Sequence, residues 1–256
     1  MSEKFQLLNK LAKKGSIFTI ETASNLSRLH NGSLRVLLSR MEKEGWVERI
    51  EKGKYLIIPL GAEKGKYTIN EFVIGSEIVK NAAIAYWSAL NYHGFTEQIP
   101  NTVFIQTTSR KKEPDIEIFG VRYHIARITE KKFFGLQKIW IEDSQVWITD
   151  PEKTIVDCLD KPQYCGGIVE VAKAMRNENK TDLDKVIKYA IRMENSAILK
   201  RLGSLCDRLG IPVKIPQENL AKGYPLLDPS THRKGKTNRK WKIIENVDEK
   251  IIGTLE

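Results

Sequence analysis

Cysteine is scarce in this sequence of 256 residues, which has only Cys158, Cys165 and Cys206. Without a C-x-x-C pair, these three cysteines argue against a disulfide framework and a structural zinc site, and they suit a reducing cytoplasm. No run of eighteen apolar residues is present, and no apolar stretch follows a basic amino terminus. The sequence therefore argues against a transmembrane or a secreted protein, and we expect no membrane partner.

Acidic residues are scarce at two places along the chain. The formal net charge is +10, and residues 1–60 hold eleven Lys or Arg against six Asp or Glu. Residues 231–242 hold six basic residues and no acidic one. Such an excess favours an anionic partner, most often nucleic acid. The hydrophobic content of 41% is enough for packed cores, and the length suits two domains.

Residues 1–60 follow the order helix, β-prone run, helix, helix and hairpin. Ser33 is a suitable cap for the third helix, and Gly45 ends it. Its apolar residues recur at i, i+3, i+4 and i+7: Leu34, Leu37, Leu38 and Met41. Two short alternating runs around the turn "EKGK" (residues 51–54) then predict a β-hairpin. This order is typical of a winged helix-turn-helix domain.

The side of the third helix opposite its leucines has few acids, and we expect it to contact double-stranded DNA. An Arg side chain can donate two parallel hydrogen bonds to guanine, a Ser can form hydrogen bonds with bases or phosphates, and a Val can contact a thymine methyl group. A lysine at a hairpin tip reaches phosphate. The predicted DNA-binding residues are Ser33, Arg35, Val36, Ser39, Arg40, Lys43, Lys52 and Lys54. The alternative is an amphipathic helix with a solvated basic face, packed on an ordinary hairpin.

The rest of the chain predicts a second, larger domain. Residues 61–69 are polar and contain glycine, which indicates a linker between a domain at residues 1–60 and one at residues 70–256. Residues 70–79 and 82–93 have helical patterns, and five β-prone runs follow them. Asp150 before Pro151 then marks the start of a helical third. The predicted fold class is α+β, with the winged helix-turn-helix domain followed by a mixed α/β domain.

Few other residues suggest chemistry. Pro114-Asp115 and Glu130-Lys131-Lys132 loosely match the pattern of metal-dependent nucleases, but Glu130 lies in a charged turn and not on a buried strand. The four histidines share no metal-ligand spacing. We therefore predict no catalytic residue, no metal and no cofactor, and we expect the protein not to be an enzyme.

Two basic runs beyond the first domain are either solvated loops or surfaces for an anionic partner. The first comprises residues 109–112. The second is a loop-rich tail, in which Trp241 and several cations lie near glycine-permitted bends. Its candidate antitoxin or nucleic-acid surface consists of Arg233, Lys234, Lys236, Arg239 and Lys240. By contrast, Trp87, Tyr92 and Phe95 are expected to pack in a core and not to stack on bases.

Several segments resemble one known family in their order along the chain. They are "GSLRVLLSRMEKEGWVERIEKGKYLIIP", "AYWSALNYHGFTEQIPNTVFIQTT", "IFGVRYHIARI", "KKFFG", "ITDPEKTIVDCLDKPQYCGGIVEVAKAM" and a tail with "LDPS" and "RKGKTNRKWKIIENV". This order resembles AbiEi-type antitoxins, the transcriptional-regulator half of AbiE abortive-infection toxin–antitoxin systems. The resemblance covers nearly the whole chain, and its specific parts are the DPEK helix and the segments "WSALNYHG" and "QIPNTVFIQTT".

The resemblance implies a cytoplasmic repressor whose winged helix binds operator repeats. It also implies an α/β carboxyl domain that counteracts a nucleotidyltransferase-like toxin, with or without direct contact to that toxin. Two other functions remain open at this point. One is a winged-helix-targeted nuclease or nucleotide-handling enzyme, and the other is a nucleic-acid-binding module with no toxin. A neighbouring gene for a nucleotidyltransferase-like protein would favour the antitoxin.

Overall fold

A computed structural model describes residues 3–27, 29–58, 69–176 and 181–248. The amino-terminal unit contains α1 (Glu3–Ala12), β1 (Ile17–Thr19), α2 (Ile20–Leu26), α3 (Asn31–Lys43), β2 (Val47–Glu51) and β3 (Lys54–Ile57). Its three strands form an antiparallel sheet in the order β1-β3-β2. The predicted order of elements is thus present, and β1 joins the β2–β3 hairpin as a third strand.

The amino-terminal unit has its own core between the three helices and the sheet. Leu11, Leu34 and Met41 are fully buried in it. The helical spacing of α3 explains this burial, because residues three or four apart lie on one face. The core leaves the opposite face of α3 to solvent.

The start of α3 differs from the prediction that Ser33 caps it. The helix begins at Asn31, and the Nδ1 atom of His30 accepts a hydrogen bond from the backbone N–H of Gly32 at 3.4 Å. In the sequence, Asn31 and Gly32 indicate a break between two helices. In the structure they belong to the first turn of α3, where backbone N–H groups have no intrahelical acceptor in any helix. Ser33 is therefore an exposed residue of the first turn and not its cap.

The second unit begins with α4 (Glu71–Ile78), which Asn70 caps through a hydrogen bond from the N–H of Phe72. The elements that follow are β4 (Ala83–Ile84), α5 (Tyr86–Tyr92), β5 (Thr102–Thr107), β6 (Asp115–Ile118), β7 (Val121–Arg127), β8 (Leu136–Ile141) and β9 (Ser144–Thr149). They include a six-stranded sheet in the order β6-β7-β5-β4-β9-β8. Within it β5 runs parallel to β7 and β4 runs parallel to β9, and the other pairs are antiparallel.

The helix predicted for residues 82–93 starts later in the structure than the sequence predicted. Ala83 and Ile84 form β4 in the centre of the sheet, and the helix begins only at Tyr86. Both residues of β4 are fully buried. In a short run that is buried on both faces, polar and apolar residues do not alternate. The hydrophobic period of the sequence therefore does not distinguish a strand from a helix there.

The helical third forms a core of its own together with α5. It comprises α6 (Pro151–Asp160), α7 (Ile168–Met175), α8 (Leu183–Arg192) and α9 (Ser196–Leu209), followed by the hairpin of β10 (Lys236–Asn238) and β11 (Ile243–Glu245). Asp150 caps α6 by accepting a hydrogen bond from the N–H of Lys153 at 2.7 Å, as the sequence predicted. Gly210 ends α9 with a φ of 72°. Of the three aromatic residues expected in the core, Phe95 is buried, Trp87 is half-buried and Tyr92 is exposed.

The two units contact each other. Ile17 and Ile50 from the amino-terminal sheet pack against the core formed by α4 and the six-stranded sheet. The predicted linker at residues 61–69 lies outside the described residues except for Ile69, which packs against that same core. Among the helices described, none combines the length and the apolar composition that crossing a bilayer requires.

Candidate nucleic-acid interface

The exposed face of α3 is fixed by the burial of its opposite face. Leu34, Leu38 and Met41 are fully buried against α1 and α2, so the helix cannot rotate without exposing them. The residues that point away from this core are all exposed: Arg35, Val36, Ser39, Arg40 and Lys43. Together with Ser33, they form a continuous surface, which we call the α3 face.

The α3 face carries positive charge that few neighbouring carboxylates neutralise. Between residues that the structure describes, no salt bridge involves Arg35, Arg40 or Lys43. Glu42 and Glu44 are the nearest acids in sequence, and Glu44 is held by Lys4: a hydrogen bond from Lys4 lowers the pKa of Glu44, and the charge of Arg40 adds a smaller effect. The arginine side chains are thus free to take an external acceptor.

Val36 is an apolar residue in the middle of this charged face, and 54% of its surface is exposed. Scattered exposed apolar residues are ordinary on protein surfaces. Its position between Arg35 and Ser39 is nevertheless suited to an apolar contact within a polar interface. The α3 face thus combines guanidinium groups, a hydroxyl and a branched apolar side chain.

The hairpin places its two predicted DNA-binding lysines differently. Lys52 is exposed in the turn, which Gly53 closes with a φ of 79°. Lys54 instead faces the second unit: its ammonium group donates to the carbonyl oxygens of Glu77 and Ile78, the latter at 3.2 Å, and lies 3.1 Å from Glu51. Lys54 thus follows the turn directly, opposite Glu51, but its side chain joins the hairpin to the end of α4 and does not extend freely from the tip.

Glu51 and Lys111 form a contact that the sequence did not reveal. The ammonium group of Lys111 lies 2.6 Å from Oε2 of Glu51. Burial opposes ionisation of Glu51, but the hydrogen bonds from Lys111 and Lys54 outweigh it and hold the pKa of this carboxyl below its ordinary value. The only signal in the sequence was the basic run at residues 109–112, which gives no indication of its partner.

The basic tail is more ordered than the predicted loop. β10 and β11 pair through residues 236–238 and 243–245, and Trp241 is 2% exposed. A Cβ on Gly203 of α9 would lie 2.3 Å from the ring of Trp241, so the missing side chain at Gly203 makes room for this indole. Trp241 thus belongs to the core, which contradicts the expectation that it contributes to an exposed surface.

The basic residues of the tail keep their exposed positions: Arg233, Lys234, Lys236, Arg239 and Lys240. Lys240 also contacts both carboxylate oxygens of Asp207, at 2.7 and 2.8 Å. The other four residues form no salt bridge with a described residue. The tail hairpin and the residues next to it therefore present a cluster of exposed cations.

The residues of the nuclease-like pattern take part in separate contacts. Asp115 binds Nδ1 of His124 at 2.7 Å. Lys131 pairs with Glu194 at 2.9 Å and Lys132 with Asp160 at 2.8 Å. Within the described parts of the chain, no group of three His, Cys, Asp or Glu residues is arranged to hold a metal ion.

Comparisons with known proteins find one family model that matches the amino-terminal unit. Residues 6–58 match the family model described as transcriptional regulator, AbiEi antitoxin. The crystal structure of RV2827C protein from Mycobacterium tuberculosis has a TM-score of 0.63, with 11% identity over 96% of this chain and 92% of that chain. At this identity the likeness concerns the fold, and no curated protein matches the sequence. The predicted resemblance to the AbiEi antitoxin transcriptional regulators is thus confirmed through residues 6–58, which include α2, α3 and the hairpin.

Proposed function

We propose that the amino-terminal unit is a winged helix that binds operator DNA and represses its own operon in the cytoplasm. The observation that carries this proposal is the α3 face, which is basic, exposed and fixed in orientation by a fully buried opposite face. The order of helices and strands supports it, because α2 and α3 are followed at once by a β-hairpin. In such domains the second helix of the pair lies in the major groove.

The roles of the side chains follow from their chemistry. Arg35 and Arg40 have the forked geometry that binds O6 and N7 of guanine, and Val36 offers a methyl group to thymine. Ser33, Ser39 and Lys43 are suited to hydrogen bonds with bases or phosphates. Lys52 reaches the phosphate backbone from the hairpin turn and positions the protein without reading sequence. Lys54 has no part in this interface, because its ammonium group is bound within the protein.

We further propose that the second unit counteracts a nucleotidyltransferase-like toxin by binding and not by catalysis. The tail hairpin supports this role, since it presents exposed cations beside a paired β-hairpin. An anionic target suits that surface, either a nucleic acid that the toxin modifies or an acidic patch on the toxin. Residues 70–256 are the unit that carries this activity in our proposal, with residues 1–60 responsible for repression.

Binding to the promoter fragment of the protein's own operon tests the DNA-binding function. Fluorescence anisotropy should show tight binding to this fragment and much weaker binding to a scrambled duplex. Arg35→Ala or Arg40→Ala should each weaken specific binding by about 1–3 kcal/mol, the effect of removing one bidentate interaction with guanine. The matched control is the pair Lys188→Ala and Lys222→Ala, which removes exposed cations from the second unit. Equal weakening on both duplexes would contradict base reading by these arginines.

Toxin co-expression tests the antitoxin function. The full chain and the fragment 70–256 should both restore growth, and only the full chain should repress the operon. Because Ile17 and Ile50 cover part of the second core, the fragment needs a check of folding by circular dichroism. A folded fragment that fails to restore growth would contradict the proposed division of activities.

A further inference from the structure

A cavity of about 450 Å³ opens in the second unit, away from the α3 face and the tail. It lies where the parallel strands β5 and β7 end, and Ser109 after β5 and Ile128 after β7 line it. Tyr86 at the start of α5 and Tyr164 after α6 line its other side. Ligands of sheets with parallel strands commonly bind beyond the carboxyl ends of those strands, and the volume is that of a typical small-molecule site.

The lining of this cavity is positively charged. It contains four basic residues and no carboxylate: Lys111, Lys112, Arg127 and Lys161. Three of these cations form no salt bridge with a described residue, whereas Lys111 is shared with Glu51. A cavity with several cations and no acid favours a ligand of more than one negative charge, such as a phosphate ester.

Aromatic rings form one wall of the same cavity. The ring centroids of His124 and Tyr164 are 4.5 Å apart, and those of Tyr86 and Tyr164 are 5.2 Å apart. Tyr86 has a φ of 53°, a conformation that favours glycine and that costs a buried aromatic residue free energy. Flat aromatic side chains next to cations are the elements with which proteins hold a nucleobase and its phosphate.

Buried polar groups without partners lie on the same face of the sheet. Gln106 is fully buried on β5 beside Ala126, which lines the cavity, and neither its oxygen nor its nitrogen has a hydrogen-bond partner among the described residues. The buried Nε2 atom of His124 likewise has none. An unsatisfied buried polar group is costly. Gln106 and His124 lie on neighbouring strands of this face, and the Nε2 atom of His124, which lines the cavity, is a polar group that a ligand could satisfy.

We infer that this cavity binds a nucleoside phosphate. Lys112, Arg127 and Lys161 bind the phosphate, and the base packs against the wall of Tyr164 and His124. The nucleoside phosphate comes either as a free nucleotide or as the phosphorylated end of a strand.

Calorimetric titration of the full chain tests this inference with four probes: adenosine 5′-monophosphate, adenosine, inorganic phosphate and a 5′-phosphorylated single-stranded tetranucleotide. Adenosine 5′-monophosphate should bind at least tenfold more tightly than adenosine or phosphate alone, because only it engages both the cations and the aromatic wall. Tighter binding of the tetranucleotide than of the mononucleotide assigns the site to a strand end, and the reverse assigns it to a free nucleotide.

Variants distinguish this site from general attraction to a basic protein. Lys112→Gln with Arg127→Gln should weaken binding of the monophosphate at least tenfold, and the control pair Lys188→Gln with Lys222→Gln should leave it unchanged. Tyr164→Phe should retain binding and Tyr164→Leu should lose it, with thermal unfolding confirming that each variant is folded. Equal weakening by both pairs of changes, or equal affinity for monophosphate and inorganic phosphate, would overturn the inference. So would the absence of binding by both nucleotide probes.

Discussion

The ammonium group of Lys111 lies 2.6 Å from a carboxylate oxygen of Glu51, sixty residues earlier in the chain. Glu51 ends β2 in the amino-terminal hairpin, and Lys111 lies in the loop after β5. Because Lys111 also lines the cavity of the second unit, one side chain contacts both the hairpin and the cavity. Lys111 therefore connects the amino-terminal hairpin to the edge of the cavity.

Lys111→Gln should reduce stability in a pH-dependent manner. The folded-state pKa of Glu51 is below its ordinary value, so its contribution is present above about pH 4, the ordinary range of a glutamate. This contribution disappears as the pH falls through the lowered pKa. Urea unfolding should thus show a difference between the native protein and Lys111→Gln at pH 7 that shrinks toward pH 3. Lys112→Gln, which removes a neighbouring exposed cation, should show no such trend.

The two hairpin lysines should differ in their effect on DNA binding. Lys52→Gln should lower the salt slope of operator binding by about 0.9, the value for a single phosphate interaction. Lys54→Gln should leave the slope unchanged and lower the unfolding free energy, because its ammonium group binds backbone carbonyls of α4. Anisotropy at several salt concentrations measures the first effect and urea unfolding the second. A lower slope for Lys54→Gln would show that this side chain leaves its carbonyls to reach DNA.

Val36 should make apolar contacts with thymine methyl groups in the operator. Replacing operator thymines with uracil removes those methyl groups and should weaken binding by about 0.8 kcal/mol for each methyl group that Val36 covers. The same replacement should have no effect on the Val36→Ser variant. Ile99→Ser is the control, since Ile99 is 82% exposed in the second unit. If both variants respond to uracil alike, the methyl groups are read by another residue.

The exposed cations of the tail should be needed for rescue from the toxin. Changing Arg233, Lys234, Lys236 and Arg239 to glutamine should abolish growth in toxin co-expression without lowering the melting temperature. Lys240 is left intact because it pairs with Asp207, which also accepts a hydrogen bond from the indole of Trp241. Four exposed lysines elsewhere provide a control of equal charge: Lys138, Lys188, Lys214 and Lys222. Survival with the altered tail would mean that these cations are merely solvated.

The buried pair of Lys153 and Asp157 in α6 should show strong coupling. Both side chains are inaccessible, and burial raises the pKa of Asp157 to about 6 despite the adjacent Lys153. Asp157→Ala should cost about 3–5 kcal/mol of unfolding free energy, because it leaves a buried ammonium group unpaired. The double change Lys153→Met with Asp157→Leu should recover most of that loss. Additive effects in a double-mutant cycle would exclude the coupling.

The helices that could be predicted from the sequence are marked by local residue patterns. The spacing of Leu34, Leu38 and Met41 identified the buried face of α3, and the exposed face followed from it. Asp150 before Pro151 marked the start of α6, where the carboxylate caps the helix. Such signals depend on neighbouring residues alone, so they are present in the sequence without knowledge of the fold.

The sequence-based predictions were wrong for side chains whose surroundings are formed by residues far away in the sequence. Lys54 was expected to be free, but the end of α4, more than twenty residues later, provides its carbonyl partners. Trp241 was expected to be exposed among cations, but it fills the space above Gly203. A lone glycine within a helical pattern was the available signal, because it often marks a close approach by another part of the chain.

The two cores differ in when they become complete during synthesis. The residues that form the amino-terminal core lie between Leu7 and Ile57, so the chain that builds this core is complete early in translation. The largest core of the second unit joins Leu90 to Trp241 and Ile243, and its final strand must leave the ribosome before the core closes. Since domains generally fold in the order of their synthesis, the amino-terminal unit can fold on a nascent chain whose remaining part is still open to proteases.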